Sequence, residues 1–127
     1  MKSNKFSIRR RARSFKYAFN GLRLLFTEEH NSRIHALAAI CAIIAGILLK
    51  VSILEWVALT FAIGLVFVVE TINSSIENAA DLIGLEMNDK IKRIKDLSAA
   101  AVLISAICAL VIGGLIFIPK IVSLIVS

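Results

Sequence analysis

The chain has 127 residues, 58% of them hydrophobic, with a mean hydropathy of +0.84 and a net charge of +6. That is the length of one domain and far too apolar for a soluble one, which excludes a water-soluble enzyme and a disordered chain; one proline and six glycines exclude collagen-like or low-complexity sequence. The charge is concentrated, because residues 1–33 carry nine basic groups against two acids while the remainder is near neutral.

That basic segment is the first element. Phe15, Phe19, Leu22 and Phe26 recur at steps of four, three and four, with Arg9, Arg13, Lys16, Asn20 and Arg23 on the other side. The pattern predicts an amphipathic helix over 6–27 lying in the membrane interface, its basic groups toward anionic headgroups. The charged region is too long for a cleaved signal peptide. Nucleic acid is not expected as a partner of so hydrophobic a chain.

Three apolar runs follow: Ile34–Leu49, Ile53–Val69 and the uncharged Leu97–Ile118. A bilayer core requires roughly 20 such residues in a helix, since backbone polar groups there must be satisfied internally. With their flanks they predict membrane helices over 30–50, 53–83 and 90–119, within a single unit over 1–127. Only Lys50-Val51-Ser52 separates the first two, so those helices are antiparallel neighbours. Thirteen basic residues flank one side (nine in the amino-terminal segment, then Lys90, Lys92, Arg93 and Lys95) against Lys50 and Lys120 on the other. That asymmetry predicts a multi-pass membrane protein with its N-terminus in the cytoplasm. Cys41 and Cys108 fall inside apolar spans and read as buried, inert thiols.

The end of the second span breaks the apolar pattern. Glu70, Asn73, Ser74, Glu77 and Asp81 fall within roughly 60° of Glu70 on a helical wheel, a single polar stripe. Glu70 lies roughly 26 Å along the helix from Ile53, at the inner edge of the hydrocarbon. Ionisable groups there are costly and are functional candidates. A second polar group, Glu28-Glu29-His30-Asn31-Ser32-Arg33-Ile34-His35, precedes the first span at the same depth, and Lys95-Asp96 begins the third. Carboxylates from two helices are the ligands Mg²⁺ prefers when it also holds phosphate. A reaction between a water-soluble phosphate donor and a lipid must occur at this boundary, and it needs a metal, positive groups and a base. No P-loop or Gly-x-Gly-x-x-Gly motif is present, which excludes the soluble nucleotide folds at motif level. His30 and His35 read as helix caps in preference to headgroup contacts.

The run Glu70-Thr-Ile-Asn73-Ser74-Ser-Ile76-Glu77 matches the pattern E-x-x-N-[ST]-x-I-E, supported by Gly21-Leu22-Arg23, by Glu29 with Arg33, and by Lys95-Asp96 before Ala-rich sequence. On these motifs the chain resembles the prokaryotic diacylglycerol kinase and undecaprenol kinase family of small integral membrane lipid kinases. The resemblance implies an all-α membrane protein: an amphipathic surface helix plus three transmembrane helices, assembled as a homotrimeric bundle with shared active sites. It implies ATP- and Mg²⁺-dependent phosphorylation of a membrane lipid alcohol, diacylglycerol to phosphatidic acid or, alternatively, undecaprenol to its phosphate. By that likeness Glu70 is the general base and Asn73 supports the catalytic geometry. Glu29 and Glu77 carry Mg²⁺, and Arg10, Tyr17, Glu86, Met87, Asn88, Lys95 and Asp96 contact ATP. One departure is Leu97-Ser98-Ala99-Ala100-Ala101 where diacylglycerol kinases of Gram-negative bacteria typically read M-G-S-A-A, removing a hydroxyl at Ala99. Glu29 to His35, Ile53-Leu54-Glu55-Trp56 and Ile116 to Lys120 are more similar to the undecaprenol kinase branch. A small ion-coupled transporter would place acids near mid-span and on both sides, and a holin-like pore would leave the Glu70/Asn73/Glu77 spacing without a reason.

Overall fold

The computed structural model describes residues 7–84 and 88–127, and among these every regular element is an α-helix: α1 (Ile8–Glu28), α2 (His30–Leu48), α3 (Ile53–Ile83) and α4 (Asp89–Val126). The last three are long and apolar enough to cross a membrane.

Each junction has a local cause. Ser7 caps α1 by accepting the Arg10 N–H. A single extended residue, Glu29, separates α1 from α2, and Arg33 reaches back across this elbow. Its Nε donates to the Phe26 carbonyl at 2.8 Å and a terminal guanidinium nitrogen donates to the Thr27 carbonyl, filling acceptors that the end of α1 leaves open. At the far end of α2 the Lys50 N–H bonds the Ile47 carbonyl and the Val51 N–H bonds the Gly46 carbonyl. That is a Schellman closure with lysine, at φ 54°, in the left-handed position glycine usually takes. Ser52 and Glu55 then form a reciprocal capping box that starts α3. Asn88 starts α4 by accepting the Ile91 N–H at 3.0 Å.

α3 and α4 form the main helix pair, with α2 against α3. The buried apolar centre, Val51, Leu59 and Ile116 with Trp56 and Phe117 around it, lies toward the α2–α3 turn. There Gly46 lets α2 approach α3 closely: a Cβ at that position would stand 2.7 Å from Trp56 Cη2. Lys120 Nζ, 3.1 Å from Glu55 Oε1, ties α4 to the same end. The outward faces of the spans stay apolar, Leu37, Phe61, Leu103 and Leu110 among them, as a helix facing lipid or another chain requires.

Two expectations are corrected. α4 does not stop at Pro119 but continues to Val126; proline removes one backbone bond, and the apolar residues beyond it still favour helix where water cannot satisfy backbone groups. Cys41 and Cys108 are exposed on the surface of the single chain. On α1 the buried residue is Leu25, outside the aromatic stripe; Phe26 packs on Phe67 of α3 with ring centroids 5.7 Å apart, while Phe15 and Phe19 are exposed. Only the carboxyl-terminal end of α1 meets the other helices, so position along α1 decides burial there as much as phase does.

Candidate active site

The polar stripe of α3 lies between two neighbours, and its residues divide between them. Toward the α1–α2 elbow, Ser74 Oγ donates to Glu29 Oε1 at 2.7 Å, and Glu70 Oε1 is 3.0 Å from His35 Nε2. Toward α4, Ser98 Oγ donates to Asn73 Oδ1 at 2.5 Å, and Lys95 Nζ lies 2.6 Å from Asp81 and 3.5 Å from Glu77. Residues three and four apart on a helix are neighbours, so these contacts bring polar groups of α2, α3 and α4 into one band about three turns deep.

Glu70 is the most enclosed acid of the band, with its residue 2% exposed. His35 Nε2 is near enough to pair with it but stands off the direction of a hydrogen bond, so Glu70 Oε1 receives no donor. Ser32 Oγ, one turn before His35 on α2, is also buried and without a partner. Buried polar atoms are nearly always hydrogen-bonded, so two exceptions, one on α2 and one on α3, make these residues candidates for a role other than stability.

From His35 an apolar groove of about 680 Å³ runs along the spans between α2, α3 and α4. Small side chains form much of its wall, among them Ala38, Ala42, Ala62, Ala106 and Gly113. A shallower recess of about 400 Å³ lies on the other side of α3, with Asn73 and Ser98 in its wall.

Arg10 and Tyr17 lie on α1, both exposed. Asp96 is exposed and pairs with Lys92 at 2.6 Å. Asn88 commits its side-chain oxygen to the cap of α4. Glu86 and Met87 lie outside the described residues. Among the described residues no three His, Cys, Asp or Glu side chains gather into a closed metal cage. The carboxylates of Glu29 and Glu77 nevertheless suit Mg²⁺: Ser74 holds Glu29 one turn of α3 from Glu77, and a pair of carboxylates leaves positions for phosphate and water. His35 is not the helix cap expected of it, since it stands inside α2 beside Glu70. Its signal in the sequence was its three-residue spacing from Ser32 in an apolar helix. Ser98 supplies a hydroxyl one position before Ala99, on the face that meets Asn73.

Fold and site together define an integral membrane protein whose reactive groups gather at one end of its spans. The chain belongs to the prokaryotic diacylglycerol kinase family, whose model matches residues 16–117, and it is a lipid kinase. It is 36% identical over 119 residues to the undecaprenol kinase of Bacillus subtilis, covering 94% of this chain and 97% of that one. It is 34% identical over 114 residues to a diacylglycerol kinase of Synechocystis, covering 89% of this chain and 65% of that one. With the diacylglycerol kinase of Escherichia coli K12 it shares 36% identity over 95 residues, 75% of this chain and 78% of the other.

Proposed function

We propose that the chain transfers the γ-phosphoryl group of ATP to the hydroxyl of a membrane lipid at the cytoplasmic face of a bacterial inner membrane, with its N-terminus in the cytoplasm and α1 lying in the interface. The observation that carries this reading is Glu70: a buried carboxylate with an unbonded oxygen, paired with His35 at the inner end of an apolar groove. A lipid lying along the groove brings its hydroxyl toward that oxygen. Glu70 takes the hydroxyl proton while the new O–P bond forms, and the bond to the departing ADP breaks. Ser98 fixes the amide of Asn73 one turn away, so the carboxamide holds one orientation during this step. Glu29 and Glu77 would hold Mg²⁺, which supplies neutralisation of phosphate charge. Lys95, with Asp81 and Glu77 around its ammonium, stands at the edge where phosphate arrives, and Arg10, Tyr17, Asn88 and Asp96 surround the rest of the nucleotide.

Three spans are too few to shield the stripe and the apolar outer faces at once, which favours a homotrimer with sites shared between neighbours. Similarity over nearly the full length of an undecaprenol kinase supports undecaprenol as acceptor as much as diacylglycerol. The test is a side-by-side assay of the purified protein in detergent, with MgATP and either diacylglycerol or a C55 prenol. Phosphate appears on one of these lipids, and Glu70→Gln abolishes the transfer while the protein remains folded; full activity of Glu70→Gln refutes the base.

A further inference from the structure

The reaction described above needs a base and a metal and does not by itself need an imidazole, yet one stands against the base. His35 Nε2 is 3.0 Å from Glu70 Oε1, with side chains 26% and 3% exposed. Among the described residues His35 is the one basic side chain within 4 Å of the Glu70 carboxylate, because Lys95 is turned to Asp81 and Glu77. A carboxylate removed from water requires a compensating partner, and no other group in the band supplies one.

The manner of approach matters as much as the distance. A donor aimed along the lone pair of Oε1 would occupy the site where a substrate proton must land. His35 stands close without hydrogen-bonding, and Glu70 Oε1, itself buried, keeps its acceptor capacity unused. The imidazole forms part of the groove wall, which Val66 and Phe67 also line, and Ser32 one turn earlier on α2 is fully buried, so this stretch of α2 is packed against its neighbours. Its position is therefore set by helix packing and transmitted to the carboxylate.

Resting on the assignment of Glu70 as base, we propose that His35 is the positioning residue of that base, holding the carboxylate at the inner end of the lipid groove without taking up its oxygen in a hydrogen bond. Its role needs no bond to ATP. Its loss therefore lowers kcat and leaves the KM for ATP nearly unchanged, as expected of a group whose effect is realised in the transition state.

The experiment measures kcat and KM for wild type, His35→Leu, His35→Gln, Glu70→Gln, Glu70→Asp and His35→Leu/Glu70→Asp, in the detergent-solubilised full chain, with folding followed by thermal melting. His35→Leu is expected to lower kcat by about 20-fold or more with the KM for ATP within about twofold, and His35→Gln, which keeps a polar side chain of similar length against the carboxylate, to restore at least half of that loss on a logarithmic scale. In the Glu70→Asp background, where the shortened carboxylate has withdrawn, His35→Leu is expected to cost less than about threefold, the non-additivity of residues acting as a unit. Equal rates for His35→Leu and His35→Gln, or the same fold-loss in both backgrounds, overturn the positioning role while an inactive Glu70→Gln preserves the base. An active Glu70→Gln overturns the base itself. Should His35→Leu fail to fold, a folded His35→Gln with kcat between about twofold and tenfold below wild type and an unchanged KM for ATP supports the role, and any other result for it overturns the role.

Discussion

Ser74 donates a 2.7 Å hydrogen bond to Glu29, joining the stripe of α3 to the one-residue elbow between α1 and α2. The bond places a carboxylate from one part of the chain a single helical turn from Glu77 on another. Neither acid has a reason to be near the other except through α3, and this is the arrangement a shared cation would require.

If the pair holds Mg²⁺, Glu77→Ala lowers activity by about 100-fold or more, because an essential ligand is lost. Ser74→Ala leaves both carboxylates present and loosens only one. It raises the Mg²⁺ concentration for half-maximal rate by about tenfold or less, the effect typical of a group that orients a ligand. Mg²⁺ titrations of the two variants check the contrast.

The Ser98–Asn73 bond makes a separate prediction. Ser98→Ala removes the donor and leaves the amide of Asn73 free to turn, which costs about 1 kcal/mol of stability and lowers kcat by a few-fold. Asn73→Ala lowers kcat far more. Thermal melting and initial rates on the same preparations measure both effects.

At the elbow, Arg33 donates to two carbonyls of the last turn of α1. Arg33→Ala frees that end of α1 at a cost of about 1.5–3 kcal/mol per charge-assisted bond before relaxation. Arg33→Lys restores only part, since a single ammonium lacks the fixed fork of the guanidinium. Amide hydrogen exchange is expected to rise in residues 20–28 in the order wild type, Arg33→Lys, Arg33→Ala.

The α2–α3 turn offers two substitutions of opposite sign. Lys50→Gly removes a side chain from a left-handed position, φ 54°, and stabilises by about 1 kcal/mol. Gly46→Ala places a methyl 2.7 Å from the rigid ring of Trp56 and destabilises by about 1–3 kcal/mol. Thermal melting of the two variants in the same detergent should bracket the wild type.

The amino-acid order by itself determined the helical class, the three spans and the polar stripe of Glu70, Asn73, Ser74, Glu77 and Asp81. Those depend on composition and on the 3.6-residue repeat, which are local properties of the chain. It also marked the α1–α2 acids as belonging to the same depth, because depth follows from the count of residues through a layer of fixed thickness. Only the tertiary structure decided which neighbour each member of the stripe takes: His35 for Glu70, Glu29 for Ser74, Ser98 for Asn73, and Lys95 for Glu77 and Asp81. A periodicity gives the face of one helix and says nothing of the rotation or height of the next. Those are set by close approaches such as Gly46 under Trp56 and by the turn at Lys50. For the same reason His35 reads as a helix cap in the sequence and becomes the partner of a buried carboxylate once α2 is laid against α3.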